Sequence, residues 1–278
     1  MTLRAAVVPC AGLGTRLLPL SKAVPKELLP LVDRPAIEWV ALECAAAGLS
    51  CIVIVGRAGK ESVAEHLRPM PELEELLRAD GKDDLADAVA MAGAGLEVAW
   101  ADQADPLGLG HAIGAAREAV GGDDFFVGLL PDDIYPLGTS PLHDMIALHV
   151  RTGAGVLSVV EIDDADTERY GVIAVEPDAD GLLWVTDAIE KPGPERAPSR
   201  YGIMGRYLLP TEVFDHIDAL SEGALGELQL TDALARLART GRKLLALPTE
   251  MRPYDLGTKE GWLRAQVEAA RDMGFEIR

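Results

Sequence analysis

Short apolar runs punctuate this chain, and the stretches between them carry apolar residues every three or four positions. The runs span residues 5–8, 51–55, 96–100, 125–130, 155–162, 171–175, 183–189, 201–209 and 243–247. The first, Ala5 to Val8, has no polar alternation and reads as a buried strand. Helical spacing marks 37–47, 61–67, 72–78, 83–91, 144–152, 211–219, 228–240 and 259–273. Pro35 suits the start of the first of these helices and Gly48 its stop. Strands alternating with helices predict an α/β fold: a mainly parallel twisted sheet with helices on both faces. No internal repeat or composition break divides the chain, so one domain over 1–278 is expected.

Candidate chemistry begins where the first run stops. Ala11-Gly12-Leu13-Gly14-Thr15-Arg16 follows Pro9. Two glycines let the backbone turn sharply and approach a ligand that a Cβ would push away. Backbone N–H groups in such a loop can cradle phosphate oxygens, and Arg16 and Lys26 add cations that suit a polyphosphate. A dinucleotide fingerprint needs a third small residue where Leu17 stands, which makes a dehydrogenase a distant alternative. A Walker-type loop needs Gly-Lys-Ser/Thr, and Thr15-Arg16-Leu17 is not that.

Charge sharpens the picture. Over 278 residues, 26 basic side chains face 45 acidic ones, a net of −19, which argues against nucleic acid and anionic membranes as partners. An anionic substrate must then be captured by a locally basic pocket. Cys10, Cys44 and Cys51 lack metal-ligand spacing and read as buried structural thiols. Neither a signal peptide nor an apolar segment of membrane-spanning length is apparent, so a soluble cytoplasmic protein is expected.

Further motifs follow the loop in order. Asp102-Gln103-Ala104-Asp105-Pro106-Leu107-Gly108-Leu109-Gly110-His111-Ala112 precedes a helix. A Gln amide offers a donor and an acceptor to a base edge. His111 reads as a structural residue that packs or hydrogen-bonds locally. Leu129-Leu130-Pro131-Asp132-Asp133 ends the fourth run. Carboxylates at the carboxyl end of a parallel strand lie where open α/β sheets bind ligands, and oxygen ligands suit Mg²⁺. Tyr170-Gly171-Val172-Ile173, Glu190-Lys191-Pro192, Glu227-Leu228-Gln229-Leu230-Thr231-Asp232 and Tyr254-Asp255-Leu256-Gly257 complete the set.

Taken together, from about residue 5 to about residue 270, these segments resemble the sugar-1-phosphate nucleotidyltransferases, most closely their bacterial uridylyltransferase branch. The resemblance implies a Rossmann-like sheet. A nucleotide-binding part covers about 1–135, a β-rich sugar-phosphate-binding part about 136–258, and a C-terminal helix 259–273. It implies Mg²⁺-dependent transfer of a nucleotidyl group from UTP to glucose 1-phosphate, with release of pyrophosphate, in a homo-oligomer (dimer or tetramer). Ala11, Gly12, Gly14, Thr15, Gln103 and Gly110 would bind the nucleotide. Arg16, Lys26 and Lys191 would act on phosphates, and Gly171, Glu190 and Lys191 would hold the sugar phosphate. Asp132 and Asp255 would hold the metal, leaving Asp133 to stabilise its loop. The sequence departs from the family beside Gln103, where Asp102 and Ala104 stand in place of the usual basic residues. Another triphosphate (dTTP, GTP or ATP), a different sugar or cyclitol phosphate, or a catalytically silent nucleotide-sugar-binding module stay open as alternatives.

Overall fold

A computed structural model of the chain describes residues 2–136, 138–221 and 226–276. Among the described residues nine strands form one sheet: β1 (Leu3–Pro9), β2 (Cys51–Gly56), β3 (Glu97–Asp102), β4 (Phe125–Leu129), β5 (Gly155–Glu161), β6 (Gly171–Pro177), β7 (Leu183–Glu190), β8 (Tyr201–Pro210) and β9 (Leu244–Pro248). Their spatial order is β3-β2-β1-β4-β8-β5-β9-β7-β6. The first four pair in parallel, β1 lying between β2 and β4. Strand β8 joins them antiparallel to β4 and also pairs antiparallel with β5 and β6. The antiparallel pairs thus gather around the β-rich second half, while β9 runs parallel to β5.

Among the described residues there are ten helices: α1 (Ala36–Ala46), α2 (Ser62–Leu67), α3 (Pro71–Ala79), α4 (Asp83–Met91), α5 (Leu109–Ala115), α6 (Arg117–Val120), α7 (Leu142–Thr152), α8 (Val213–Asp218), α9 (Leu230–Arg239) and α10 (Lys259–Asp272). Successive strand residues point to opposite faces, so each strand feeds two cores. Ala6, Val8, Ile52 and Ile54 pack with α1, α2, α7 and α10. Ala5, Val7, Val53 and Val55 pack with α5, α8 and α9. Complete burial of a Val or Ile side chain stabilises the fold by roughly 1.5–3 kcal/mol, which is why these runs carry no polar alternation.

The third run ends two residues later than its apolar pattern suggests. Ala101 and Asp102 still pair with Val55 and Gly56, carrying β3 to the threshold of Gln103. A Cβ on Gly56 would lie 2.0 Å from the Trp100 ring, so the ladder needs glycine there. Residues 15–28, left without an assigned element in the sequence, fold as three single 3-10 turns, Thr15–Leu17, Leu20–Lys22 and Lys26–Leu28. All three cysteines are buried and unpaired, as expected of structural thiols. No helix among the described residues is long and apolar enough to cross a membrane.

Candidate active site

The carboxyl ends of the parallel strands open onto one cleft of 460 Å³. Ala11, Gly12 and Thr15 line it after β1, Gln103 and Gly108 after β3, and Pro131 and Asp132 after β4. Lys26 joins them from the third 3-10 turn. Gly12 has open space where a Cβ would stand. Gly14 does different work: its φ of +65° starts the turn, and its carbonyl accepts from Ser21 Oγ at 2.7 Å.

Gln103 is buried, and its Nε2 donates to the Gly108 carbonyl at 3.2 Å and to His111 Nδ1 at 3.0 Å. Both amide hydrogens are therefore committed within the chain, and the amide keeps its carbonyl as the group for a ligand. This pairing holds the Gln103 amide against α5. It also explains His111, whose ring fixes the amide, as its structural reading implied. Gly110 does not line the cleft. Its N–H donates to the Leu228 carbonyl at 2.8 Å, and a Cβ on it would lie 2.7 Å from that oxygen. The Glu227–Gln229 segment packs against α5 there, which brings Glu227 to the cleft.

Lys26 Nζ donates to both carboxylate oxygens of Asp132, at 2.5 Å to Oδ1. Burial lowers the Lys26 pKa, but the Asp132 and Glu27 charges outweigh it and leave it above its ordinary value. Behind Lys26, the buried Glu27 carboxylate accepts from Lys60 Nζ at 3.0 and 3.1 Å, and Lys60 also donates to the Cys10 carbonyl at 2.5 Å. Burial raises the Glu27 pKa more than the two lysines lower it.

Asp255 stands 123 positions after Asp132, yet the two meet. A two-residue ribbon pairs Tyr254 with Ile134 and Asp255 with Asp133, and the Leu256 N–H donates to the Asp132 carbonyl at 2.8 Å. The point where a Cβ on Gly257 would stand lies 3.2 Å from Asp255 Oδ1, 3.6 Å from Asp132 Oδ2 and 3.9 Å from Arg16 Nη2. Both carboxylates and the exposed Arg16 thus converge on a glycine. Asp133, beside them, is half-buried. Burial pushes its carboxyl up to about 7, the Asp132 and Asp255 charges add to the rise, and Arg206 opposes it. A Cβ on Gly205 (φ +63°) would lie 2.3 Å from Asp133 Oδ2, so that glycine exists for the carboxyl.

The expected sugar-side residues form a second group. Gly171 and Glu190 are direct partners in the β6–β7 ladder. Thr231 Oγ1 donates to Glu190 Oε2 at 2.6 Å, and Lys191 Nζ lies 3.0 Å from Glu190 Oε1. A Cβ on Gly171 would meet Thr231 Oγ1 at 2.9 Å, so the hydroxyl fills the space that glycine leaves. Lys191 has φ +43°, an uncommon conformation for a residue with a side chain. Arg169 lies across the rim, 3.7 Å from Asp255 Oδ2.

A family model described as nucleotidyl transferase matches residues 5–272. The chain belongs to the nucleotidyl transferase family. UTP–glucose-1-phosphate uridylyltransferase 2 of Staphylococcus saprophyticus is 39% identical over 268 residues, covering 96% of this chain and 92% of that protein. A UTP–glucose-1-phosphate uridylyltransferase of Staphylococcus epidermidis is 38% identical with the same coverage. Among solved structures, a UTP-bound UGPase from Acinetobacter baumannii superposes with a TM-score of 0.85 at 34% identity, covering 98% of this chain and 94% of that one. A UDP-glucose pyrophosphorylase complexed with UDP-glucose gives 0.84 at 30% identity, covering 98% and 100%.

In this nucleotidyl transferase the sequence reading missed Lys60, Thr231 and Arg169 at the site. Lys60 follows a Gly-rich loop and carries no motif. Thr231 lies inside a recognised segment to which no role was attached. Arg169 sits one residue before a recognised one. The raised pKa of Asp133 was also missed, because an Asp after Pro131-Asp132 looks like an ordinary turn residue.

Proposed function

We propose that this nucleotidyl transferase moves the uridylyl group of UTP to glucose 1-phosphate and releases pyrophosphate. The observation that carries the reading is the convergence of Lys26, Asp132, Asp255 and Arg16 beside the cleft at the carboxyl ends of the parallel strands. The names of the relatives support the choice of substrates.

The base end is argued from Gln103. With its amide hydrogens committed, its carbonyl is left to accept from a ring N–H, and the imide N–H of uracil supplies one. Thymine shares that edge, so dTTP ranks second. Adenine has no such ring N–H, and a purine needs a wider pocket. A mismatched edge leaves buried polar groups unpaired at a cost of ~1–3 kcal/mol, or roughly ten- to a hundredfold in selectivity.

At the reacting end the sugar phosphate oxygen attacks the α-phosphorus in line with the departing pyrophosphate. That oxygen is already anionic and needs no general base. The work left to the protein is placement and charge neutralisation. Arg16 holds the β- and γ-phosphates, Lys26 steadies the α-phosphate as charge builds, and Lys191 holds the attacking phosphate. Glu190 accepts from sugar hydroxyls through the lone pairs that Thr231 and Lys191 leave open.

The residues present also fit Mg²⁺. Among the described residues no group of three or more His, Cys, Asp or Glu side chains could hold a metal by itself. Two carboxylates facing one point suit an ion that completes its shell with phosphate oxygens and water. Asp132 and Asp255 would hold it, and it would neutralise charge on the triphosphate when bound.

Pyrophosphate release, measured for UTP, dTTP, GTP and ATP against a panel of sugar 1-phosphates with Mg²⁺, tests the reading. UTP with glucose 1-phosphate is expected to give the highest kcat/KM. A higher value for GTP or ATP overturns the uridylyl assignment, and no turnover with any pair leaves a silent nucleotide-sugar-binding module.

A further inference from the structure

Arg206 is the largest side chain that the fold buries completely. It stands on β8 opposite Leu129, the last residue of β4. A guanidinium has five N–H hydrogens in a rigid planar fork. Here five acceptors receive them. Nε donates to Glu43 Oε1 at 2.8 Å and Nη2 to Glu43 Oε2 at 2.7 Å. Nη1 donates to the carbonyls of Leu130 at 3.1 Å and Gly205 at 3.2 Å, and Nη2 to the carbonyl of Asp133 at 2.6 Å. Glu43 comes from α1 and is itself held by Ser140 Oγ at 2.6 Å.

This saturation means that Arg206 has no hydrogen left for a substrate. Its contacts bracket Asp132 instead: the Leu130 carbonyl lies two residues before it and the Asp133 carbonyl one residue after. From the other side, the Leu256 N–H takes the Asp132 carbonyl itself. Without a cation between these backbone oxygens, their aligned dipoles would repel one another and the loop would relax. Mg²⁺ demands near-ideal geometry of its ligands, so a relaxed loop binds it less well.

We propose that Arg206 is a positioning residue for the metal carboxylate: its guanidinium, anchored on Glu43, fixes the backbone from Leu130 to Asp133 so that Asp132 meets a divalent cation in one geometry. The proposal rests on the reading of Asp132 as a metal ligand. It requires arginine specifically. A lysine at 206 balances the Glu43 charge but cannot reach three carbonyls and a carboxylate at once.

The test uses Mn²⁺ as the probe, with the full chain and a UTP analogue whose α,β-bridging oxygen is replaced by a methylene group. Bound Mn²⁺ is read by electron paramagnetic resonance, and stability by thermal denaturation. Arg206→Lys is expected to weaken Mn²⁺ binding about tenfold, the scale of lost outer-shell support, with metal-free analogue affinity unchanged. Asp132→Asn measured alongside should lose more, and Asp132→Asn/Arg206→Lys should bind no more weakly than Asp132→Asn alone. Should Arg206→Lys not fold, Glu43→Leu/Arg206→Met removes both buried charges together and is expected to show the same loss. Unchanged Mn²⁺ affinity in whichever of these variants folds, whatever its melting temperature, overturns the positioning role. Normal Mn²⁺ binding by Asp132→Asn overturns the metal assignment beneath it.

Discussion

Lys26 and Lys191 carry the same charge into the proposed reaction, but the fold treats them differently. The Lys26 side chain is 17% exposed, grips both oxygens of Asp132, and is backed by the buried Glu27–Lys60 pair. The Lys191 side chain is 45% exposed, pairs with Glu190 at the same strand end, and stands on a left-handed backbone. The proposed nucleotide side thus carries charge that is already in place, held by contacts between distant segments. The proposed sugar side carries charge that is more exposed to solvent. Charge placed in advance lowers a barrier because little reorganisation is left for the moment of reaction. Charge left exposed in this reading chiefly changes how well the sugar phosphate is held.

The sharpest way to break this contrast is at Asp132. Asp132→Asn keeps size and shape but removes the charge that Lys26 faces and that a metal would need. Turnover is expected to fall by a factor on the order of 10³, in line with the loss of a group acting on developing charge, in a variant that still folds. Near-normal kcat at saturating Mg²⁺ would remove Asp132 from the metal site.

Lys60→Met probes the support behind Lys26. It strands Glu27, buried and without its hydrogen-bonded partner. Breaking a buried pair from one side costs ~3–5 kcal/mol, to be read from the midpoint of urea denaturation. A variant as stable as the parent would mean that Lys26 alone suffices to hold Glu27, and the nucleotide side would be less rigidly backed than the contacts imply.

Lys191→Met tests the more exposed cation. KM for glucose 1-phosphate is expected to rise roughly ten- to a hundredfold, the range for losing a hydrogen bond to a charged group, with KM for UTP unchanged. Equal losses on both substrates would erase the division into two sides. The smallest effect is expected from Thr231→Val, which removes the hydroxyl that orients Glu190. About 1 kcal/mol, or several-fold in KM for the sugar phosphate, is the scale of one such bond. No change there would reduce Thr231 to a packing residue under Gly171.

Much of the architecture follows from local pattern alone. The apolar runs became the strands of the sheet with small shifts at their ends, and helical spacing located α1, α7, α9 and α10. Solvent sorts side chains by polarity, and each element's period records which face it buries. The loop after β1, Gln103 and Asp132 also stand where strand ends place them, because a residue's distance from its own strand is a local property. The same reasoning made His111 structural.

Partners were not legible in this way. Nothing in the spacing of Asp132 and Asp255 says that a two-residue ribbon joins them, or that Arg16 points to the same glycine. Gly110 matched a motif, but its N–H belongs to Leu228. Arg206 lies in an apolar strand, where one charged residue reads as an interruption, and only the packed structure reveals five acceptors around it. The chain's order of apolar and polar residues determined which segments are strands, which are helices, and which residue types reach the edge of the sheet. The tertiary structure alone decided which charge answers which. A hydrogen bond or ion pair depends on the relative placement of segments more than a hundred residues apart, and that placement is set by the packing of the whole.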